Sequence, residues 1–582
     1  MSKVLSYMKP YTWMLLVTVA LLAVEVTAAL ALPGYMADIV NDGVLTGHIS
    51  VIWRNGLTML LITLLSVITA VITGFFTARI ATGVANDLRE AVFKKVLRFS
   101  SAEINTFSTS SLITRTTNDI TQVQNTLMLA IRLLIYAPML AVGGIIRALE
   151  RSVDMTWIVA LATIVMVGSM GILFFIALPK FKIVQSLIDR LNLVSRENLS
   201  GILVVRAFST QIFEKKRFDK ANKDLADTNL FVDQTFALML PIVNLVLNLT
   251  TALIVWVGAQ QAAAFHVNIG DIFAFLQYGM LIIFSFLMVA MMLVLLPRAV
   301  VSAGRIKDVL ETRSSLLFKK DPIRLTDGFR GEIEFSGVNF RYPDSTEDDE
   351  DVLSDISFTA KPGETTAIIG ATGSGKTSIL KLMLRFYDVT KGKILVDGMD
   401  IRDIHKEDLH GKIGYVPQKA LLFTGTIRSN LLYADKTAPE ERLLDAADTA
   451  QAKGFISERP DGYESNVAQG GSNLSGGQRQ RISIARALVK NAPIYIFDDS
   501  FSALDLKTDA QLRAALKRKT GSSAMIVVAQ RISTIMDADQ IVVLENGEVV
   551  GLGKHKELMK NCQVYREIAD SQLSEEEMLA SM

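Results

Sequence analysis

Three stretches of the chain carry residue types whose spacing suits phosphate chemistry. In TTAIIGATGSGKTSILKLML a β-branched run leads into a glycine loop and then an apolar-periodic stretch, the strand, loop and helix order of a P-loop. Gly370, Gly373 and Gly375, with Thr372 and Ser374 between them, let backbone N–H groups close around phosphate oxygens. Lys376 reaches the terminal phosphates, and Thr377, followed by Ser378, offers its hydroxyl to Mg²⁺ where a helix N-terminus already favours anions. The second stretch, IYIFDDS, is a buried-type strand that ends in two adjacent carboxylates, Asp498 and Asp499. The third, GGSNLSGGQRQRISIARAL, contains LSGGQ, Leu474 to Gln478.

These stretches need an α/β frame. From about residue 330 the sequence opens with the alternation GEIEFSGVNFRYP and continues with apolar strand and helix patterns in turn, which predicts an α/β core. The preceding part is of another kind. Six apolar segments, roughly 12–33, 57–80, 127–148, 156–178, 236–264 and 272–297, each supply the ~20 residues a helix needs to cross a membrane. Arg89, Lys94, Lys95 and Arg98 in one long connection, and Lys180, Lys182, Lys215, Lys216 and Arg217 in another, place these connections in the cytosol, and so both termini. The expected layout is a six-helix membrane domain over 1–310, a polar linker over 311–330, a nucleotide-binding domain over 331–572 and an acidic tail over 573–582. A chain of 582 residues, half of them hydrophobic, fits that layout. A net charge of +1 gives no reason to expect a nucleic-acid partner, and a single cysteine, Cys562, excludes an intrachain disulfide framework. The first apolar run is long and lacks a small-residue cleavage site, unlike a signal peptide.

The P-loop, LSGGQ and the strand ending at Asp498, in this order, resemble the nucleotide-binding domain of ABC transporters. Six spans followed by one such domain resemble an ABC exporter half-transporter. The resemblance implies ATP and Mg²⁺ as cofactors, and roles for further residues. It gives Tyr342 in FRYP the aromatic that stacks on adenine, and Gln418 in YVPQ the glutamine that senses Mg²⁺ and the membrane domain. Asp498 becomes the Mg²⁺ ligand with Thr377 and Gln418, and Asp505 in SALD the residue that couples the two ATP sites. Leu474, Ser475, Gly476, Gly477 and Gln478 would contact the γ-phosphate of an ATP held by the opposite subunit.

Two positions depart from the family's pattern. The catalytic glutamate is replaced by Asp499, and the switch histidine by Gln530 in VVAQRIS. Aspartate is shorter by one methylene, about 1.5 Å, and misplacement by about 1 Å costs on the order of 10²-fold in rate. Gln469, before LSGGQ, also stands where the family has a glutamate. Every group expected to bind ATP is intact, and only those needed for hydrolysis have changed. The expectation is therefore a subunit of a bacterial heterodimeric exporter, in the cell membrane, with a degenerate ATP site of its own. Its LSGGQ would complete a competent site on a second half-transporter, and its substrates would be amphipathic or apolar compounds. Two alternatives stay open: a homodimeric lipid or peptide exporter with slow turnover, and an ATP-gated channel or sensor. In the membrane half, Glu25 in the first span and Met288 and Met292 in the sixth are candidates for a substrate cavity. STSSLITRTTND, Ser108 to Asp119, and VVRAFSTQIFE, Val204 to Glu214, resemble elements that couple the two halves.

Overall fold

In a computed structural model, residues 2–316, 319, 321–325, 328–343, 345 and 350–573 are described. Beyond Leu573 the expected tail lies outside the described residues, as do five positions of the expected linker, 317, 318, 320, 326 and 327. The chain forms two compact units, Met1–Leu97 with Ser110–Glu311, and Arg98–Thr109 with Thr312–Met582.

Six helical stretches of the first unit are long and apolar enough to span a membrane: Lys3–Val44, Ile49–Val96, Thr109–Arg151, Val153–Ser200, Gln211–Ala263 and Ile269–Glu311. Each is about twice the length that hydrocarbon requires, so the basic connections read as loops are for the most part continuations of the helices. At most a third of any apolar window is buried, and Trp53, Leu57, Leu60 and Phe175 are among the exposed side chains. A bundle that is apolar on the outside as well as the inside is built for lipid. Inside it, Val26, Leu30, Ala37, Leu140, Ala274 and Tyr278 pack as one cluster. Arg151 joins three helices where Thr12–Asp38 and Ile120–Arg151 end and Ile269–Glu311 begins. Its guanidinium donates to Asp271 Oδ1 at 3.2 Å, Asp38 Oδ1 at 3.1 Å and Gly34 O at 3.3 Å. Nearer the middle, the buried Glu25 lies 3.5 Å from the guanidinium of Arg132.

Strands of the second unit are β1 Ile333–Phe340, β2 Leu353–Ala360, β3 Thr365–Gly370, β4 Lys391–Val396, β5 Met399–Asp400, β6 Ile413–Val416, β7 Gly425–Thr426, β8 Asn466–Val467, β9 Ile494–Asp498, β10 Ala524–Val528, β11 Gln540–Glu545 and β12 Glu548–Gly553. They form a sheet of order β12-β11-β3-β10-β9-β6, a second of order β2-β1-β4-β5, and the pair β7-β8. In the larger sheet β11, β3, β10, β9 and β6 are parallel. All residues of β9 and β10 are buried, as expected of parallel strands covered on both faces. Their side chains alternate between two cores. Ala367, Ile369, Phe497 and Val527 belong to one, and Ile368, Ile496, Ile526 and Val528 to the other. Each of these valine, isoleucine and phenylalanine side chains stabilises the fold by about 1.5–3 kcal/mol. Pairing Val528 with both Ile368 and Asp498, and Val416 with Phe497, brings the carboxyl ends of four strands level.

Candidate nucleotide site

Loops that leave those level strand ends hold the residues of interest, at the edge of a parallel sheet where ligands bind in α/β folds. After β3 the loop turns through Gly373 (φ +89°) and Gly375 (φ +99°) into the helix Lys376–Met383. At Gly375 a Cβ would meet Leu353 Cδ2 at 2.5 Å, so both backbone angle and space demand glycine. No side chain caps this helix. Its first N–H groups therefore have no side-chain acceptor and suit phosphate oxygens. Lys376 Nζ donates to Gly370 O and Ala371 O, both at 2.8 Å, which curls the ammonium over the loop. Burial pushes that ammonium's pKa down, opposed by the charges of Asp499 and Asp498.

Asp498 ends β9 and is buried. Burial and the neighbouring Asp499 push its carboxyl above the ordinary value, with Lys381 and Lys376 acting the other way. A desolvated carboxylate beside a second one is a site that a cation relieves. Asp499 sits at φ +43°, a strained backbone for a residue with a Cβ. Its N–H donates to Val528 O at 2.9 Å, and Ser500 Oγ donates to Val416 O at 3.1 Å, so the turn is tied to both flanking strands. Two amides converge on a single carboxylate oxygen. Gln530 Nε2 donates to Asp499 Oδ2 at 2.8 Å and Gln418 Nε2 to the same atom at 3.2 Å. Two of the three positions that depart from the expected pattern, Asp499 and Gln530, are thus in direct contact.

Tyr342 follows β1, its hydroxyl 2.9 Å from Ser378 Oγ and its ring edge-on to Tyr387 at 5.2 Å. Lys381 Nζ lies 5.4 Å from the same ring centre. A cleft of about 690 Å³ opens here, lined by Tyr342, Lys381, Tyr387 and Asn105 among others. Asn105 comes from the helix Ser101–Phe107, and its amide donates to Tyr387 Oη at 3.2 Å. The segment that joins the second unit is therefore 98–109; most of the stretch from Ser108 to Asp119 belongs to the first.

Leu474 is buried, whereas Ser475 and Gly476 are exposed at the start of the helix Gly476–Val489. Ser475 Oγ accepts from Gln478 N and Ser475 N donates to Gln478 Oε1, a capping box that keeps the motif's bonds within its own helix. Asp505 likewise caps the helix Leu506–Lys519 by accepting from Thr508 N at 2.9 Å, a bond that holds its carboxyl below the ordinary value. Thr372, Gly373 and Thr377 are exposed along the glycine loop, while Ser374 is buried. Glu25, Met288 and Met292 lie in the other unit, with Met292 only 1% exposed. Sequence reasoning missed Ser500, Lys381 and Tyr387, and also Gln572, whose amide reaches the backbone of the Gln530 loop.

The family described as ABC transporter matches residues 353–502, and that described as ABC transporter transmembrane region matches 14–286. An uncharacterized ABC transporter ATP-binding protein of Mycobacterium tuberculosis is 41% identical over 569 residues, 97% of each chain. The chain belongs to the ABC transporters. It is an exporter half-transporter, a multi-pass membrane protein with one membrane region and one ATP-binding domain. The half-transporter is also 37% identical over 581 residues to YfiB of Bacillus subtilis, another uncharacterized ABC transporter ATP-binding protein, with 99% of each chain covered. It is 31% identical over 579 residues to an ATP-dependent lipid A-core flippase of Pseudomonas aeruginosa, covering 96% of this chain and 93% of that one. In fold it is similar to a bacterial Atm1-family ABC exporter solved with ATP bound, with a TM-score of 0.78, 24% identity, and 97% and 99% of the two chains covered. The glycine loop, the uncapped helix and the buried Asp498 fit the ATP that the family binds.

Proposed function

We propose that this half-transporter pairs with a different ABC half-transporter, and that its own ATP site binds nucleotide but hydrolyses it slowly. Its substrates are amphipathic or apolar compounds moved out of the cytosol across a bacterial cell membrane. One observation carries the reading: Asp499 Oδ2 accepts from both Gln530 and Gln418, so the shortened carboxylate is held by two amides. A neutral amide cannot exchange a proton as an imidazole does.

In this reading Tyr342 stacks on adenine, and Lys376 and the loop Gly370, Thr372, Gly373, Ser374, Gly375, Ser378 hold the phosphates. Thr377, Gln418 and Asp498 hold Mg²⁺, which neutralises phosphate charge when bound. The charge attraction that holds the phosphates and Mg²⁺ does not depend on Asp499 or Gln530, and the Gln530 amide can still donate a hydrogen bond to the terminal phosphate. The exposed start of the helix Gly476–Val489, with Ser475 and Gly477, completes the partner's site, and Asp505 links the two sites.

Purified alone, the chain should bind ATP and turn it over slowly, and coexpression with its partner should raise the rate by orders of magnitude. Fast Mg²⁺-dependent hydrolysis by the isolated chain would overturn the pairing. A second reading, a homodimer that moves a lipid, is favoured by the likeness to proteins named lipid A-core flippases. Native mass measurement of the purified assembly separates the two.

A further inference from the structure

Gln572 lies just beyond the helix Gln563–Asp570, on which Tyr565 and Ala569 are fully buried. Leu573 packs against the same core, so the backbone is fixed on both sides of Gln572, and its own N–H donates to Ala569 O at 3.0 Å. The side-chain amide then spans the loop after β10. Nε2 donates to Gln530 O at 2.9 Å, and Oε1 accepts from Ile532 N at 2.8 Å. Those bonds clamp the backbone on either side of Arg531.

Gln572 and Gln530 are both exposed. Hydrogen bonds between neutral groups in contact with water add little to overall stability, because each is exchanged for one with solvent. What this pair does fix is direction. With its carbonyl and the N–H of Ile532, two residues on, both held, Gln530 has its backbone set, and its side chain points to Asp499. Among the described residues no other side chain bonds these two backbone groups.

We infer that Gln572 is a positioning residue for Gln530: it aligns the amide that meets the terminal phosphate, and so sets how well the site tells ATP from ADP. This rests on the reading of the ATP site, and not on a slow site or a second subunit. The test is binding of ADP and of a non-hydrolysable ATP analogue to the full chain with Mg²⁺, by calorimetry.

Gln572→Met keeps length and loses both bonds. It should lower the analogue-to-ADP affinity ratio about threefold to tenfold, since a hydrogen bond to a charged group is lost only in part. ADP affinity should stay unchanged, which also reports an intact fold. Gln572→Glu keeps the acceptor for Ile532 N but sets a carboxylate oxygen against Gln530 O, and should lower the ratio at least as far. In a Gln530→Ala background, Gln572→Met should change nothing further. An unchanged ratio in Gln572→Met, or an equal fall with Gln530→Ala present, overturns the assignment. Should Gln572→Met not fold, Gln572→Glu and Gln572→Asn carry the same comparison. A fast-hydrolysing wild type would refute the slow site without touching this result.

Discussion

At the scale of single residues, the shared oxygen of Asp499 sets what one substitution achieves. Asp499→Glu lengthens the acid, but the Gln530 amide, which now donates to Asp499 Oδ2, still brings no titratable ring. Asp499→Glu alone should therefore raise hydrolysis at this chain's site only slightly, and Asp499→Glu with Gln530→His by about 10²-fold, the scale of cost assigned to misplacement; single-turnover assays check this. Asp498 gives a prediction of opposite character. Its carboxyl is raised in the fold by burial first and by Asp499 second. The folded state therefore disfavours the ionised form, and stability falls as pH rises through the raised value. Asp498→Asn removes that charge, so it should raise the melting temperature of the nucleotide-free protein more at a pH above the raised value than at a pH below it. The same change should abolish the extra stabilisation given by Mg²⁺ over ATP alone. Thermal melts at the two pH values, with and without Mg²⁺, read both effects.

Elements position these residues, and some of that was legible from sequence. The β-branched run before the glycine loop and the apolar strand before Asp498 follow from period and residue type, and both are parallel strands of one sheet. The level ends of β3, β10, β9 and β6 were not legible, because register between strands far apart in sequence is set by tertiary pairing. Nor was the positive φ of Asp499, or a bond from Gln572 to a loop 42 positions away. The helix starting at Gly476 yields a test of its own. A Cβ at Gly477 would lie 3.3 Å from Ala503 O, whereas at Gly476 nothing lies within 4 Å. Gly477→Val should press on the Ala503–Asp505 loop and stop turnover of the assembled transporter, while Gly476→Ala should fold normally. Ser475→Ala should cost about 1 kcal/mol of stability through the lost cap, read by chemical denaturation.

For the whole molecule, charge and hydropathy in the sequence located the six spans, but not that 98–109 belongs with the second unit. Packing decides that, and hydropathy does not report it. The predicted orientation is checked with cysteines. Phe265 is 96% exposed in a connection free of Lys and Arg, and Ser209 is exposed among basic residues. Phe265→Cys should react with an impermeant maleimide in intact cells and Ser209→Cys only in inverted vesicles, with buried Cys562 as a quiet background. Placement of the chemistry just past the strand ends has one more consequence. Asp499 and Gln530 follow the last residues of β9 and β10 and lend no side chain to either core. Neither core depends on which side chain stands there, so point substitutions at 499 and 530 can retune the chemistry of the site while the packing stays whole, provided the residue at 499 accepts the positive φ.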